Sequence, residues 1–281
     1  MTRNRPDTVI KAINSVMDQT YPHVEIIVSD NSTSNDTYEI LSSYVSENKI
    51  KYYKQDPMTG IEHINRVHDM AESKYYMIFH DDDTMHPEMV QTLSELVEKN
   101  NEASAVASNA NIIKNGSYFR LAFKEKKTIA LNSVDELISR YHKKYSIAPF
   151  PSYMYVKNKV NGLRLNYAHG GKYADVSFLS DLASRGKIIY CPKPLMDYYI
   201  HEGQDSNKWD FLQYSTLTDY LKKIVSDKNV VRPLRMKNLY HEILRNSEIS
   251  LFSKRCQFVI MQAPPLLSVI LLCRKIGINV I

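Results

Sequence analysis

Two hydrophobic periods share this chain. Over residues 8–18 apolar positions recur at helical spacing, with Val9, Ile13, Val16 and Met17 on one face and Pro6 just upstream, where a first helical turn tolerates it. Gln19-Thr20-Tyr21-Pro22 ends that helix, and Val24-Glu25-Ile26-Ile27-Val28-Ser29 reads as a strand. The polar run from Asp30 to Asp36 then makes a turn and caps a helix reaching about Tyr44. A strand at Ile50–Lys54 follows, then a loop from Pro57 to Gly60. The next helix, about 61–72, places Ile61, Ile64, Val67 and Ala71 on one face. Tyr75–Phe79 is a short apolar strand, and Pro87 opens a helix carrying Met89, Val90, Leu93, Leu96 and Val97.

Beyond residue 105 the pattern changes. Asn115-Gly116 between apolar runs predicts a two-residue hairpin. Ser133 with Glu136 forms a capping box ahead of a helix to about Lys143. Phe150–Val156 reads as a loop entering a strand, Asp175–Arg185 as a helix stopped by Gly186, and Lys187–Cys191 as a last strand. From Trp209 onward the pattern is helical. Strand–helix alternation predicts an α/β fold with a mostly parallel sheet covered on both faces, and ligands of such sheets bind beyond the carboxyl ends of the strands.

Candidate chemistry sits at such ends. The strand Tyr75–Phe79 runs into His80-Asp81-Asp82-Asp83, and three adjacent carboxylates repel one another unless positive charge sits among them. A divalent cation held by hard oxygen ligands would relieve that repulsion; a solvated acidic turn is the plainer reading. Asp30 ends the neighbouring strand.

Several segments in order carry a resemblance. Thr2-Arg3-Asn4-Arg5-Pro6, Gln19-Thr20-Tyr21-Pro22 and Glu25–Ser32 are similar to the opening of the family 2 glycosyltransferases, whose fold is GT-A. Gly60, Asn65 and Ala71 ahead of Tyr75–Asp83 match that family's next block, and His80–Pro87 resembles its DXD-type metal motif. Ala174-Asp175-Val176 with Leu179, Gly186, Pro194-Leu195, Tyr198 and His201–Ser206 is similar to its catalytic-base helix and closing loop. The resemblance covers residues 1–206, with a nucleotide-binding half at 1–109 and an acceptor and catalytic half at 110–206; residues 207–281 form a helical basic and apolar tail.

The resemblance implies sugar transfer from a UDP- or dTDP-type nucleotide-sugar donor to an acceptor hydroxyl, with inversion, in surface polysaccharide or glycan synthesis on a glycan or lipid-linked acceptor. It implies a divalent cation, Mn²⁺ or Mg²⁺, held by Asp82 and Asp83, with Asp81 alongside on the nucleotide; the register is open by one residue. His80 stands where many relatives carry an acid. Asp30 matches a nucleotide contact, or is an Asx-turn or helix-cap aspartate. Thr2, Asn4, Ser32, Asn65 and Arg66 match the same pocket; Arg66 serves equally as a solvated helix residue. Asp175 is the implied general base, with helix capping as its structural alternative. His201 completes the cation site or touches the diphosphate, unless it is an ordinary surface histidine.

Composition refines this picture. Forty-three per cent hydrophobic and 24% charged residues over 281 positions suit a globular domain with a sizeable core. Three cysteines without CxxC spacing argue against a disulfide framework or zinc site and fit a reducing, cytoplasmic setting. From Lys222 onward 11 Lys/Arg face 3 Asp/Glu, so the first 221 residues are net acidic. That basic end carries no nucleic-acid reader motif, and nucleic acid is not expected as a partner. The apolar stretch Phe258–Cys273 is split by Pro264-Pro265 and is shorter than the ~20 residues that span a bilayer. With Lys254-Arg255 and Arg274-Lys275 around it, residues 254–281 suit peripheral docking on the inner membrane face, or packing as a helix pair on the catalytic domain or in a dimer. A catalytically inactive, truncated scaffold or membrane-binding protein is the competing functional class. It draws on the family's usual first strand, a buried apolar segment ahead of Thr-x-Asn, where this chain has Met1-Thr2. A chain extended upstream by an apolar strand is expected to be more soluble and more active; equal melting temperature and equal activity of the two forms would refute that expectation.

Overall fold

The computed structural model describes residues 1–143, 146–201 and 209–245. The Glu202–Ser206 part of the closing loop, the apolar stretch Phe258–Cys273 and the expected membrane contact through 254–281 lie outside the described residues.

Helix and strand alternate through the first half: α1 (Pro6–Met17), β1 (Ile27–Asp30), α2 (Asp36–Ser46), β2 (Lys51–Lys54), α3 (Gly60–Met70), β3 (Tyr75–Met77), the short β4 (Thr84–Met85) and α4 (Met89–Glu98). The second half continues with β5 (Ala103–Lys114), β6 (Ser117–Leu121), β7 (Ile129–Leu131), α5 (Val134–Tyr141), β8 (Tyr153–Val156) and the single-turn α6 (Lys157–Val160). It ends with α7 (Ala174–Ala183), β9 (Lys187–Ile200), α8 (Phe211–Ile224) and α9 (Arg232–Arg245).

Local chemistry explains many of the boundaries. Pro6 occupies the first turn of α1, and Thr59 with Glu62 makes a complete capping box at the start of α3. Ser133 accepts the Glu136 N–H at α5, but the Glu136 carboxylate reaches back to the Asn132 N–H, one residue earlier than the box expected from the sequence. Asn115 and Gly116 both take positive φ, 52° and 75°, as a tight hairpin between right-twisting strands requires.

Two sheets form. β1 and β2 pair in parallel, and a mixed seven-stranded sheet runs β3-β8-β5-β9-β4, with β6 on β5 and β7 on β9. Its longest ladder is the parallel pair β5–β9, while β3–β8, β8–β5 and β4–β9 are antiparallel. The sequence predicts a last strand over Lys187–Cys191; Pro192 and Pro194, just beyond, have no N–H to donate to a ladder. The structure carries β9 on to Ile200 by shifting register there: Ser108 pairs Cys191, Asn109 pairs Pro194 and Asn111 pairs Asp197. The buried Asn109 side chain fills the irregularity, donating to the carbonyls of Phe123 and Pro192 while accepting the N–H of Phe123.

The main core is rich in tyrosine. Tyr153, Tyr155 and Tyr190 are fully buried, and the hydroxyls of Tyr153 and Tyr190 satisfy each other at 2.6 Å. A separate cluster of Val9, Ile13, Val28, Leu41 and Ile50 lies under β1 and β2. Between the two bodies is a cavity of about 380 Å³, lined among others by Ile13, Val28, Val67, Tyr76, Ile78 and Met154. Residues 1 and 2 link its two walls: Thr2 exchanges backbone hydrogen bonds with Ser29 and Asn31, and the Met1 amino group donates to the Phe79 carbonyl. Among the described residues no helix is long and apolar enough to cross a membrane.

Candidate active site

The acidic triplet lies in the turn between β3 and β4, a few residues past the strand predicted from the sequence, and the end of β9 meets it there. Arg5, the residue before α1, spans two of the three acids, with Nη1 3.0 Å from Asp81 and 2.7 Å from Asp82. On the other side His201, just past β9, places Nε2 2.9 Å from the same Asp82 oxygen. Hydrogen bonding to His201 and the nearby positive charges outweigh the desolvation of Asp82 and hold its carboxyl below the usual range. Asp83 is different. It accepts the Tyr199 N–H with one oxygen at 3.0 Å, while its other oxygen is buried without a hydrogen bond, 4.0 Å from His80 Nδ1. Burial and the neighbouring Asp82 push its carboxyl up to about 8.

These groups fit a divalent cation. His80, Asp82 and Asp83 each offer a ligand atom, all within 4.8 Å of one another. The Asp83 oxygen without a hydrogen bond is the kind of buried acceptor that a cation would satisfy; the carboxylates suit Mn²⁺ or Mg²⁺, and the imidazole favours Mn²⁺ of the two. His80, a departure from the expected acid, is thus part of the cluster. His201 meets it through Asp82, and Asp81 faces Arg5 and the Arg3 N–H instead.

A second group of expected residues gathers beside it. Thr2, Asp30 and Ser32 are buried, and Thr2 bridges Asp30. Asn4 takes the left-handed conformation at φ 53°, donates its N–H to the Ser32 hydroxyl at 2.7 Å and accepts the Thr33 N–H with its side chain. Asp30 accepts from the Ser32 N–H, the Tyr52 hydroxyl and the Lys54 ammonium. Burial opposes its charge, yet these hydrogen bonds win and keep the carboxyl below its ordinary range. The structure does not bring Asn65 and Arg66 into this group. The Asn65 amide is engaged with both backbone polar groups of Leu165, and Arg66 is exposed on α3.

Asp175 stands in the first turn of α7, after two glycines with positive φ. At Gly171 a Cβ would lie 2.1 Å from the Gln213 Oε1, the atom that accepts the Lys172 N–H. The positive φ of 58° at Gly171 favours glycine there, and a side chain would also displace the Gln213 amide from the Lys172 N–H in the turn ahead of Asp175. Burial pushes the Asp175 carboxyl up to about 6, against the pull of backbone N–H groups at the helix start. The Tyr198 hydroxyl is pushed up first by burial, then by the charges of Asp83, Asp82 and Asp175. Arg5 and Tyr198 were both within the motif segments, but nothing in their spacing assigns them; they gain importance only when residues 5, 82, 175 and 198 are folded together.

Comparison with known proteins fits this geometry. The family described as "Glycosyl transferase family 2" matches residues 1–160. An uncharacterized glycosyltransferase of Haemophilus influenzae is 24% identical over 255 residues, covering 85% of this chain and 78% of its own length. The Campylobacter jejuni GalNAc(5)-diNAcBac-PP-undecaprenol beta-1,3-glucosyltransferase is 35% identical over 123 residues, 41% of this chain and 38% of its own. Among solved structures, S. aureus TarS 1–349 in complex with UDP-GlcNAc superposes with TM-score 0.66 at 14% identity, covering 98% of this chain and 78% of that one. The Pyrobaculum calidifontis mannosyltransferase PcManGT, in complex with GDP-Man and Mn²⁺, gives 0.60 at 10% identity with the same coverages. These likenesses establish the fold.

The Asp83 carboxyl gives a stability test. Its folded value of about 8 lies above the ordinary 3.8, so the folded state holds the proton more tightly than the unfolded chain. That contribution is present at low pH and is lost as pH climbs through about 8. Asp83→Asn, which keeps an acceptor for the Tyr199 N–H, is expected to raise the metal-free melting temperature at alkaline pH by about 2–4 °C. It should also shrink the rise caused by Mn²⁺. A variant no more stable than the parent above pH 8 would contradict this account of the site.

Proposed function

The chain belongs to glycosyl transferase family 2, and from that premise we propose that it moves a sugar from a UDP- or dTDP-linked donor to a hydroxyl of a glycan or lipid-linked acceptor, with inversion. Sugar transfer in glycan synthesis is common ground with its relatives; donor, stereochemistry and acceptor are the proposal. The observation that carries it is the pair of carboxylate centres, one with a cation-ready donor set and the other a partly exposed acid at a helix start whose carboxyl is raised.

In this reading the Thr2, Asn4, Asp30 and Ser32 group takes the nucleoside, since it sets buried Thr2, Asp30 and Ser32 and the exposed Asn4 together at a strand end. His80, Asp82 and Asp83 would hold Mn²⁺ or Mg²⁺, which when bound stabilises charge developing on the diphosphate leaving group. Arg5 and His201 flank that charge from either side. Asp175 removes the proton of the acceptor hydroxyl as its oxygen bonds to the anomeric carbon. The bond from that carbon to the diphosphate oxygen breaks on the opposite face, and a single displacement of this kind inverts the centre.

An inactive scaffold is the second reading. Arg5 favours it, because that guanidinium already neutralises Asp81 and Asp82 where a cation would compete. Mn²⁺-dependent hydrolysis of a nucleotide sugar separates the two. Asp82→Ala is expected to abolish it, and Asp175→Asn to lower kcat by about 10²–10⁴ while leaving donor binding by calorimetry in place. No donor binding by the parent protein, with Mn²⁺ and a panel of nucleotide sugars, would sink the transferase reading.

The pH profile gives a further check. Asp175 accepts a proton only as carboxylate, so kcat/KM should rise through pH of about 6 and then level off. The acidic limb should vanish in the residual activity of Asp175→Asn. A limb retained in that variant would assign it to another group.

A further inference from the structure

The hairpin of β5 and β6 has no role in the site as described, yet its surface is unusual. Tyr118, Phe119 and Leu121 are 61%, 56% and 36% exposed. β6 pairs only with β5 among the described strands, so its outer edge is open. A bulge opposite Ile112 and Ile113 inserts Phe119 as an extra residue, and bulges re-aim side chains. Two aromatic rings therefore stand in solvent next to each other at the end of a strand pair.

Charge accompanies the rings. The Lys114 ammonium and the Arg120 guanidinium lie 5.7 and 5.9 Å from the centre of the Phe119 ring. Lys124, Lys126 and Lys127 follow on the exposed connection to β7. Residues 113–128 thus hold five Lys/Arg against one acid, Glu125, and that acid is paired with Arg140. The region runs against the net acidic balance of the first 221 residues. Aromatic rings interleaved with cations match the boundary of an anionic bilayer, where rings sit among headgroups and lysines face lipid phosphates.

We propose that this hairpin docks the protein on an anionic lipid surface. The register fixes what docking would do: Ile112 and Ile113 of β5 pair with Tyr198 and Tyr199 of β9, and Tyr199 donates to Asp83. The root of the hairpin is side by side with the strand end that forms the site, so a docked hairpin brings the site mouth to the headgroup layer. Docking itself stands on exposure and charge and does not depend on the transfer reaction proposed above.

Vesicle sedimentation of the full chain tests it. The protein is expected to bind vesicles of phosphatidylglycerol and phosphatidylcholine, and to bind pure phosphatidylcholine weakly. Tyr118→Ser with Phe119→Ser, and separately Lys126→Glu with Lys127→Glu, should each weaken binding to the anionic vesicles by about tenfold. Circular dichroism and melting temperature of both double variants should match the parent, which separates loss of docking from loss of fold. Vesicle binding that is undiminished in both variants, or equal on the two lipid compositions, would overturn the proposal. So would variants that keep vesicle binding but lose affinity for a soluble glycan acceptor, since that would make the hairpin a sugar platform.

Discussion

Three adjacent carboxylates on one strand end cannot all carry charge without compensation, and the way this charge is met organises the rest of the site. Arg5 comes from before α1 and His201 from beyond β9, and both converge on Asp82. The third acid is met by a backbone N–H of β9 and otherwise stays buried and inclined to hold its proton. Chain segments nearly two hundred residues apart are thereby drawn to one place. The cation-ready donor set is what this arrangement leaves open once Arg5 and His201 have taken their share.

The environment sorts chemically identical side chains into different tasks. Asp30 is buried but surrounded by donors, and its carboxyl is held down. Asp83 is buried beside another acid and rises to about 8, while Asp175 rises to about 6 by burial alone. Separation of this kind is what the proposed reaction would need, with one carboxylate on the nucleotide, others on a cation and another accepting a proton. The tyrosine-rich core stays apart from these acids: the buried hydroxyls of Tyr153 and Tyr190 satisfy each other.

Much of this was legible along the chain because local signals dominate it. The helical periods of α1, α3 and α4, the Asn115-Gly116 turn and the acidic end of β3 are all encoded within a dozen residues of themselves. Order also helped, since a sequence of weak motifs placed Asp30, Asp82 and Asp175 in one family frame. What could not be read depends on pairings across the sheet. Arg5 lies 76 residues from Asp81, and no spacing rule joins them. Asn65 looked like a pocket residue, but its amide matches the two backbone groups of Leu165, a partner chosen by folding alone. The reach of β9 past Cys191 depends on a register shift in which the Asn109 amide satisfies the Pro192 carbonyl, a partner found only across the sheet.

That repair at Asn109 also changes a parity. Between the Ser108–Cys191 and Asn111–Asp197 pairs, β5 advances three residues while β9 advances six. Side chains on a strand alternate faces with period two, so an odd excess exchanges them. Measured against β5, the even-numbered residues of β9 below the irregularity share a face with the odd-numbered residues above it. Below the irregularity both faces of β9 are buried, Ile188 and Tyr190 on one and Ile189 and Cys191 on the other; the exchange above it is what sets Tyr198 beside Ile112 and Tyr199, whose N–H meets Asp83, beside Ile113.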